Sequence, residues 1–390
     1  MIEKEFSKLL PLLEKKRDEV LAKEKWKKID LSKPFVVMPY TKYVKRIVQT
    51  LCSYGMKIMT ICDNNTKLHG MTVDSIRITA VEHVQNLDPY TQMIILSTNP
   101  LTVGQIVEQL LSLNIVQNNI FVFEELLSSV TNDLRIDLHR QVLDFLNLTP
   151  DFDDQQEIQN ATLNILKLMS ELRDEHSIDV LLSILTARYY KDFRLLSHIV
   201  NKTQYFAGFF PIRENEVFID AGAFIGDTAI DFVSRTGGEY IIHSFEPNPV
   251  IYKKLQNAVS GNERIICHQV GLGNKSEELS FTTSTGGDGK VVATGDVKVQ
   301  IITGDSLNLA PTWIKADVEG SEMALLQGFQ RTIKQYKPRL SICVYHNSYD
   351  LWEIPQYIKS LVPDYQFMLL HRCKSWAETV LFAALPEDYS

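Results

Sequence analysis

Two glycines and two acidic residues cluster in the segment EVFIDAGAFIGDT, after a short apolar run. The run ends at Asp220, and Gly222 and Gly226 follow it. Because glycine has no Cβ, the backbone can turn sharply here and a ligand can approach the main chain, as phosphate and nucleoside loops require. The segment is therefore a candidate ligand loop between a strand and a helix. Such glycines also serve merely to pack a helix on a sheet, and this alternative stays open.

A second candidate, Glu246, ends the next apolar run, IIHSFE. It lies about 25 residues beyond the glycine turn, close to the ~20 residues expected of a ribose-binding acid. A carboxylate at this place can accept hydrogen bonds from both ribose hydroxyls. Alone, Glu246 could equally be a charge at a helix N-terminus ahead of Pro247 and Pro249. Together with the glycine turn, it favours a ribose site.

The form of the glycine turn separates two classes of cofactor. Nicotinamide dinucleotides favour GxGxxG, which leaves room for a pyrophosphate on a helix N-terminus. Here the loop reads DAGAFIGD, so Asp220 and Asp227 would lie beside that pyrophosphate at an electrostatic cost. The zwitterionic methionine part of S-adenosylmethionine tolerates both acids. The loop therefore favours S-adenosylmethionine.

Further motifs follow the glycine turn in order: FEPNP, WIKADVEGSEMALLQG, SICVYH, DLWEIPQYIKSLVPDY and ETVLFA. With them, residues 205–385 resemble the FkbM-type methyltransferases, class I S-adenosylmethionine-dependent enzymes associated largely with O-methylation. The resemblance implies an α/β fold with a seven-stranded, mostly parallel Rossmann-like sheet and an antiparallel last strand. In such a sheet, ligands bind at the carboxyl ends of the strands.

The resemblance also implies which residues touch the cofactor. It assigns cofactor binding to the glycine turn, to the end of the second strand and to the end of a later one: Asp220, Ala221, Gly222, Gly226, Asp227, Thr228, Glu246, Pro247, Asn248 and Asp317. Val270 and Gly271 would lie beside the adenine. Asp317 and Glu319 would face the transferred methyl group.

Asp317, Glu319 and His346 are the candidate catalytic residues. Each lies at or just beyond the end of an apolar strand, where polar groups converge on the cleft. O-methylation needs the acceptor hydroxyl aligned with the methyl donor, and deprotonation of that hydroxyl helps. His346 has the ordinary pKa best suited to a base. A single histidine near a strand end is also often a hydrogen-bonded structural residue.

Other roles for these residues stay open. Asp317 and Glu319 could hold Mg²⁺, although no metal site is predicted and a divalent cation is only an alternative. Asp317 could instead order its turn while Glu319 and the next acids favour a helix start. Tyr349 and Trp352 could stack on an acceptor or belong to the core.

Short apolar runs alternate with helical stretches in two parts of the chain, which predicts two parallel α/β domains. Between them the strand signals fade and apolar residues recur at three-to-four spacing, which predicts a helical connector with a loop at 149–157. The predicted segments are a helical segment over 1–30, a smaller Rossmann-like α/β domain over 31–125, the connector over 126–204, and a methyltransferase domain over 205–390.

The N-terminal α/β domain lacks the expected glycine turn. Pro39, Tyr40 and Thr41 follow FVVM where a nucleotide-binding loop would have glycine, although Asp63 keeps an acid at the end of the second strand. The domain resembles the small Rossmann-like domain often joined to FkbM-type modules and to sugar-modifying enzymes. We assign it no cofactor, with a second ligand or the acceptor as the alternative.

Composition narrows the class of protein. The net charge of -8 gives little support to a nucleic-acid partner. Charges interrupt every apolar run at the N-terminus, so neither a secretory signal nor a membrane span is predicted, and we expect a cytoplasmic protein. The five cysteines show no CxxC pair and no zinc-ligand spacing, which predicts reduced, buried thiols.

The sequence thus predicts a methyltransferase that moves a methyl group from S-adenosylmethionine to a hydroxyl of a sugar, glycan or secondary metabolite. Two alternatives remain: an NAD- or nucleotide-sugar-dependent enzyme, which the missing GxGxxG disfavours, and a non-catalytic α/β binding protein. The partner expected is a small-molecule or glycan acceptor. A homo-oligomer stays open.

Overall fold

The computed structural model describes residues 2–23, 26–88, 90–97, 100–145, 154–281, 297–375 and 377–389. The chain divides into two compact units. The first comprises Met1–Asn160, Leu182–Val200 and Cys373–Ala377, and the second comprises Ala161–Leu181, Asn201–Arg372 and Glu378–Ser390.

The first unit contains a six-stranded sheet. Its strands are β1 (Phe35–Met38), β2 (Ile58–Cys62), β3 (Thr72–Val73), β4 (Ile76–Thr79), β5 (Gln92–Ile95) and β6 (Ile120–Val122). Its helices are α1 (Ile2–Lys23), α2 (Lys42–Ser53), α3 (Pro100–Ser112), α4 (Phe123–Ser129), α5 (Asn132–Phe145) and α6 (Asp154–Asn160). The strand order is β3-β4-β2-β1-β5-β6, and every pair except β3–β4 is parallel.

Burial explains why β1 and β5 are apolar at every position except Gln92. All four residues of each strand are buried, as expected of central strands in a parallel sheet. After β1, Thr41 caps α2 by accepting a hydrogen bond from the backbone N–H of Val44. The carboxylate of Asp63 accepts backbone hydrogen bonds from Tyr40 at 2.8 Å and Asn65 at 2.7 Å. This acid therefore ties two loops of its own unit together.

The second unit contains the larger sheet. Its strands are β7 (Glu216–Ala221), β8 (Tyr240–Phe245), β9 (Ile265–His268), β10 (Gly271–Leu272), β11 (Glu277–Phe281), β12 (Val297–Ile302), β13 (Trp313–Ala316), β14 (Arg339–Cys343), β15 (Gln366–His371) and β16 (Thr379–Ala384). Its helices are α7 (Thr162–Glu171), the first residues of α8 (Glu175–Tyr190), α9 (Asp227–Arg235), α10 (Pro249–Ala258), α11 (Glu322–Gly328), α12 (Gln330–Tyr336) and α13 (Asp350–Leu361).

Seven of these strands form one sheet in the order β15-β16-β14-β13-β7-β8-β9. Only β16 runs against its neighbours, since it pairs antiparallel with both β14 and β15. The predicted α/β class, with a seven-stranded C-terminal sheet and an N-terminal α/β part, is confirmed. The chain leaves β7 toward β8 on one side and later returns to β13 on the other, so the sheet has a topological switch point between β7 and β13.

A smaller sheet joins β10, β12 and β11 in that order. The stretch predicted as a connector contains the helices α5, α6, α7 and α8, with residues 172–174 outside any helix, and it is divided between the two units. Of its predicted loop, residues 149–153 lie outside the described residues. Within the part of the chain that the structure describes, no helix combines the length and apolarity needed to cross a membrane.

Candidate cofactor and active site

Three strand ends meet at the switch point because their registers align. Ala221 pairs with Phe245 and with Ala316 across the two parallel strand pairs. Beyond the strands, the backbone N–H of Gly222 donates to the Phe245 carbonyl at 3.1 Å, and that of Asp317 donates to the Ala221 carbonyl at 3.1 Å. The glycine turn and the residues just after β8 and β13 are therefore neighbours.

A cavity of about 360 Å³ opens at this point. Its walls come from the glycine turn, the ends of β8 and β13, the strands β10 and β12, and the segment before β7. Five carboxylates and two cationic side chains line it: Asp227, Glu246, Asp317, Glu319 and Glu378, with Lys315 and Arg372. This excess of negative charge favours a cationic or zwitterionic ligand over a phosphate.

Gly222 is required by the close approach of two chain segments. Its φ is +75°, and a Cβ built on it would lie 1.8 Å from the carbonyl oxygen of Asp317. A side chain at this position would displace β13 from β7. Gly226 has a φ of +92° and caps α9, and its Cβ would approach Leu255 and Val259 at 3.0 and 3.1 Å. Gly226 shapes the helix start and does not line the cavity.

Glu246 presents a buried carboxylate to the cavity. Glu246 is 8% exposed, and its Oε1 accepts a hydrogen bond from the backbone N–H of Asn248 at 2.8 Å. Burial raises the pKa of Glu246 to about 7, against the backbone N–H groups of Asn248 and Phe224, which lower it. Asn248 itself caps α10. The fold thus holds an acid at this place although the carboxylate is costly to ionise there.

Apolar groups form the wall beyond Glu246. Pro247, Ile251, Leu272 and Ile301 line the cavity together with Gly271. A Cβ on Gly271 would lie 2.6 Å from Cδ1 of Ile301, so this glycine keeps the wall open. A flat ring such as a nucleobase suits a slot of this composition.

A buried ion pair lies under the glycine turn. Nζ of Lys315 is 3.1 Å from Oδ1 of Asp220, and it donates to the carbonyls of Ala221 at 3.3 Å and Gly222 at 2.7 Å. The side chains are 2% and 0% exposed. Burial alone would lower the pKa of Lys315, but Asp220 and Asp317 raise it above its ordinary value. Asp220 therefore lies beneath the cavity wall, where it forms an ion pair with Lys315, and Lys315 in turn donates hydrogen bonds to the backbone of the turn.

Asp317 collects hydrogen bonds at the end of β13. The hydroxyl of Tyr205 donates to Oδ2 at 2.6 Å, and that of Tyr345 donates to Oδ1 at 3.3 Å. Burial would raise the pKa of Asp317, but Lys315 and then His346 lower it below its ordinary value. Asp317 is therefore an ionised, oriented acceptor on the cavity wall.

His346 lies outside the cavity lining, against three carboxylates. Its Nδ1 is 2.8 Å from Oε1 of Glu322, and its Nε2 is 3.5 Å from Oδ1 of Asp317 and 3.7 Å from Oε2 of Glu319. Burial alone would lower its pKa, but Glu322, Asp317 and Glu319 raise it to about 9. A protonated imidazole has no lone pair for a proton. The structure thus favours a positioning role for His346, acting through Asp317, over the base role expected from the sequence.

Polar side chains from the ends of β15 and β16 complete the cavity. Nε2 of Gln204 donates to Oε2 of Glu378, and Nη1 of Arg372 donates to Oε1 of Gln204. Arg372 and Glu378 also form an ion pair at 3.5 Å, with side chains 31% and 32% exposed. These three residues offer donors and acceptors to a second ligand.

The structure gathers most of the residues singled out from the sequence around this one cavity. Those on its lining are Ala221, Gly222, Asp227, Thr228, Glu246, Pro247, Asn248, Gly271, Asp317 and Glu319. Asp220, Gly226, Val270 and His346 are not on it. Tyr349 and Trp352 do not line it either, and Trp352 is 4% exposed in the core.

Sequence reasoning missed several lining residues. Leu272 follows Gly271 and Lys315 lies two residues before Asp317, so their positions in strand-end motifs offered a signal. Tyr205, Ile301 and Arg372 offered none, because each comes from a segment far along the chain whose place against the cavity depends on packing.

Part of this chain matches a family model, and its fold is similar to that of a solved structure. Residues 220–370 match the family described as Methyltransferase FkbM domain. No curated protein matches the chain with significance. The methyltransferase FkbM from Methylobacillus flagellatus KT superposes with a TM-score of 0.61 at 20% sequence identity, over 98% of this chain and 100% of that chain. Aeropyrum pernix fibrillarin, solved with natively bound S-adenosyl-L-methionine, gives a TM-score of 0.31 at 13% identity, over 45% of this chain and 68% of its own.

The FkbM structure shares the fold with this chain. At an identity of 20%, this similarity shows the fold alone. The family match runs from the end of β7 to the end of β15 short of its last residue, and it therefore includes the glycine turn, Glu246, Asp317 and His346. On the motifs, the sheet order and this match, residues 220–370 form a methyltransferase domain of the FkbM family.

Proposed function

We propose that this chain binds S-adenosylmethionine in the cavity at the switch point and transfers its methyl group to an oxygen, namely a hydroxyl of a sugar, glycan or secondary metabolite. The observation that carries the proposal is the convergence of the Gly222 turn, the Glu246 carboxylate and Asp317 on one cavity. Glu246 would accept hydrogen bonds from the ribose, and the slot formed by Leu272 and Ile301 would take the adenine.

The charges of the cavity support a sulfonium cofactor over a dinucleotide. Among the lining residues, five carboxylates face two cations, and both cations already form ion pairs, Lys315 with Asp220 and Arg372 with Glu378. A pyrophosphate would add negative charge to this site, whereas the sulfonium and ammonium groups of S-adenosylmethionine add positive charge. The NAD alternative is therefore the weaker one.

S-adenosylmethionine would supply an activated methyl group, which the acceptor oxygen takes by in-line displacement. The chain would first align that oxygen. The methyl–sulfur bond would break as the oxygen–methyl bond forms, S-adenosylhomocysteine would leave, and the carboxylate of Asp317 would accept the hydroxyl proton. Asp317 is suited to orient the hydroxyl, because Tyr205 and Tyr345 fix its carboxylate and the neighbouring cations keep it ionised. Gln204, Arg372 and Glu378 would hold the rest of the acceptor by hydrogen bonds.

Titration calorimetry tests the cofactor. The full chain is titrated with S-adenosylmethionine, S-adenosylhomocysteine, NAD and NADP, beside Glu246→Gln and the exposed control Glu263→Gln. We expect micromolar binding of the first two ligands, weakened at least tenfold in Glu246→Gln and unchanged in the control. Binding of NAD alone would replace the proposal with an oxidoreductase, and binding of none would favour a non-catalytic protein.

A further inference from the structure

His346 is surrounded by a group of side chains typical of metal ligands. We call Asp317, Glu322 and His346 the inner cluster. One ligand atom from each lies within 4.8 Å of the other two. Glu319 lies next to the cluster, with Oε2 3.7 Å from Nε2 of His346.

The cluster contains a buried atom whose hydrogen-bonding capacity is unused. Glu322 is 0% exposed, and its Oε1 accepts a hydrogen bond from the backbone N–H of Val318 at 2.8 Å. Nδ1 of His346, whose side chain is 7% exposed, lies 2.8 Å from the same oxygen. No described residue donates a hydrogen bond to Oε2 of Glu322. Buried polar atoms almost always have a partner, so Oε2 points to a missing occupant.

We propose that Asp317, Glu322 and His346 bind a divalent transition-metal ion, of the Mn²⁺, Co²⁺ or Zn²⁺ class. Binding would release the imidazole proton to solvent, which frees a nitrogen lone pair of His346 for the ion. One imidazole nitrogen with carboxylate oxygens suits these ions, whereas Mg²⁺ and Ca²⁺ favour oxygen ligands alone. With metal–ligand bonds of about 2.1 Å, two ligand atoms lie at most about 4.2 Å apart. The ligand atoms of the cluster lie within 4.8 Å of one another, so binding an ion would require a contraction of at most about 0.6 Å.

The position of the cluster gives the ion access to the cavity. Asp317 and Glu319 line the cavity, while Glu322 and His346 lie behind them. An ion held by Asp317 would therefore lie at the wall where the proposed acceptor oxygen binds, and it would polarise that oxygen. This last point rests on the proposed function, but metal binding itself does not.

A shared proton is the competing explanation for the unused atoms. Asp350 is 1% exposed, its Oδ1 has no hydrogen-bond partner among the described residues, and burial, followed by the charge of Glu322, raises its pKa to about 7. A proton held between Glu322 and Asp350 would satisfy both carboxyl groups without an ion. The two explanations differ in what they predict for added metal.

The test uses Co²⁺ alone, added to the full chain after treatment with a chelator. We expect one equivalent to bind with micromolar affinity and to produce ligand-field absorption in the visible range. His346→Ala and Glu322→Gln should each weaken binding at least tenfold, whereas the exposed control Glu263→Gln should bind like the parent chain. Thermal unfolding checks that each variant is folded.

The spectrum of the parent chain decides the question even if the buried variants fail to fold. Absence of ligand-field bands at saturating Co²⁺, or binding that survives His346→Ala in folded protein, would overturn the metal site in favour of the shared proton. Calorimetry with S-adenosylhomocysteine on the same samples shows whether the cofactor site is intact. Failure of the metal site is thereby distinguished from failure of the proposed function.

Discussion

Glu246 makes cofactor binding depend on pH near neutrality. In the free protein its pKa is about 7, because burial disfavours the carboxylate. Ribose hydroxyls donate to the ionised form, so binding should strengthen as pH rises through 7 and weaken as it falls. The ionised fraction drops from about 0.9 at pH 8 to about 0.01 at pH 5, which corresponds to an affinity loss of about 100-fold.

The assay is calorimetric titration of S-adenosylhomocysteine from pH 5 to pH 8.5. This ligand lacks the sulfonium cation, whose fixed charge would itself lower the pKa of a nearby carboxyl group. The pH profile of its binding therefore reflects the pKa that Glu246 has in the free protein more closely. Glu246→Gln keeps the shape of the side chain but cannot ionise, and its profile should be nearly flat over the same range. The reasoning is refuted if the parent chain changes less than twofold, or if Glu246→Gln follows the same profile as the parent.

Stability gives an independent check with the opposite sign. Because the folded pKa of Glu246 is raised from 4.5 to about 7, ionising it opposes folding once the pH exceeds 4.5. The cost reaches about 3 kcal/mol above pH 7. Glu246→Gln should therefore be more stable than the parent at pH 8, by up to that amount, and equally stable near pH 4.5. Urea unfolding at both pH values measures the difference.

Two further substitutions test the frame of the cavity. Gly222→Ala should abolish measurable cofactor binding and lower the midpoint of thermal unfolding, because its Cβ would lie 1.8 Å from a backbone oxygen. Gly237 has open space around it, so Gly237→Ala should be nearly neutral. Equal effects of the two substitutions would contradict the close approach. Lys315→Met should lower the free energy of unfolding in urea at pH 7 by about 3–5 kcal/mol, because it leaves Asp220 buried without its partner. Adding Asp220→Asn should recover part of that loss. No recovery would mean that the ion pair is not the cause.

The local pattern of the sequence predicts the frame of the site well, and the reason is physical. Gly222, Glu246 and Asp317 each follow a buried apolar run, and parallel strands bring their carboxyl ends to one edge of the sheet. The adjacency of these residues therefore follows once the strands are identified. The preference for S-adenosylmethionine over a dinucleotide likewise rests on the sequence alone, on the missing GxGxxG spacing and the two acids of DAGAFIGD.

The environment of individual side chains does not follow from that pattern. Asp220 was expected to touch the cofactor, yet it is 0% exposed and pairs with Lys315 beneath the turn. Val270 precedes Gly271 in the chain, but Leu272 takes the place on the cavity wall. The direction in which each side chain points depends on strand register and on the local bend, which the spacing of residue types does not specify.

His346 shows most clearly which properties depend on the local sequence and which depend on the tertiary structure. The sequence by itself determined the strand-end position of His346, the glycine turn and the two α/β parts of the chain, because these depend on local periodicity and backbone sterics. Only the tertiary structure decided that Glu322, Asp317 and Glu319 surround the imidazole and that Tyr205 and Ile301 reach the cavity. Charge and burial are sums over neighbours brought together from distant segments, so the chemistry of such a group is set by packing.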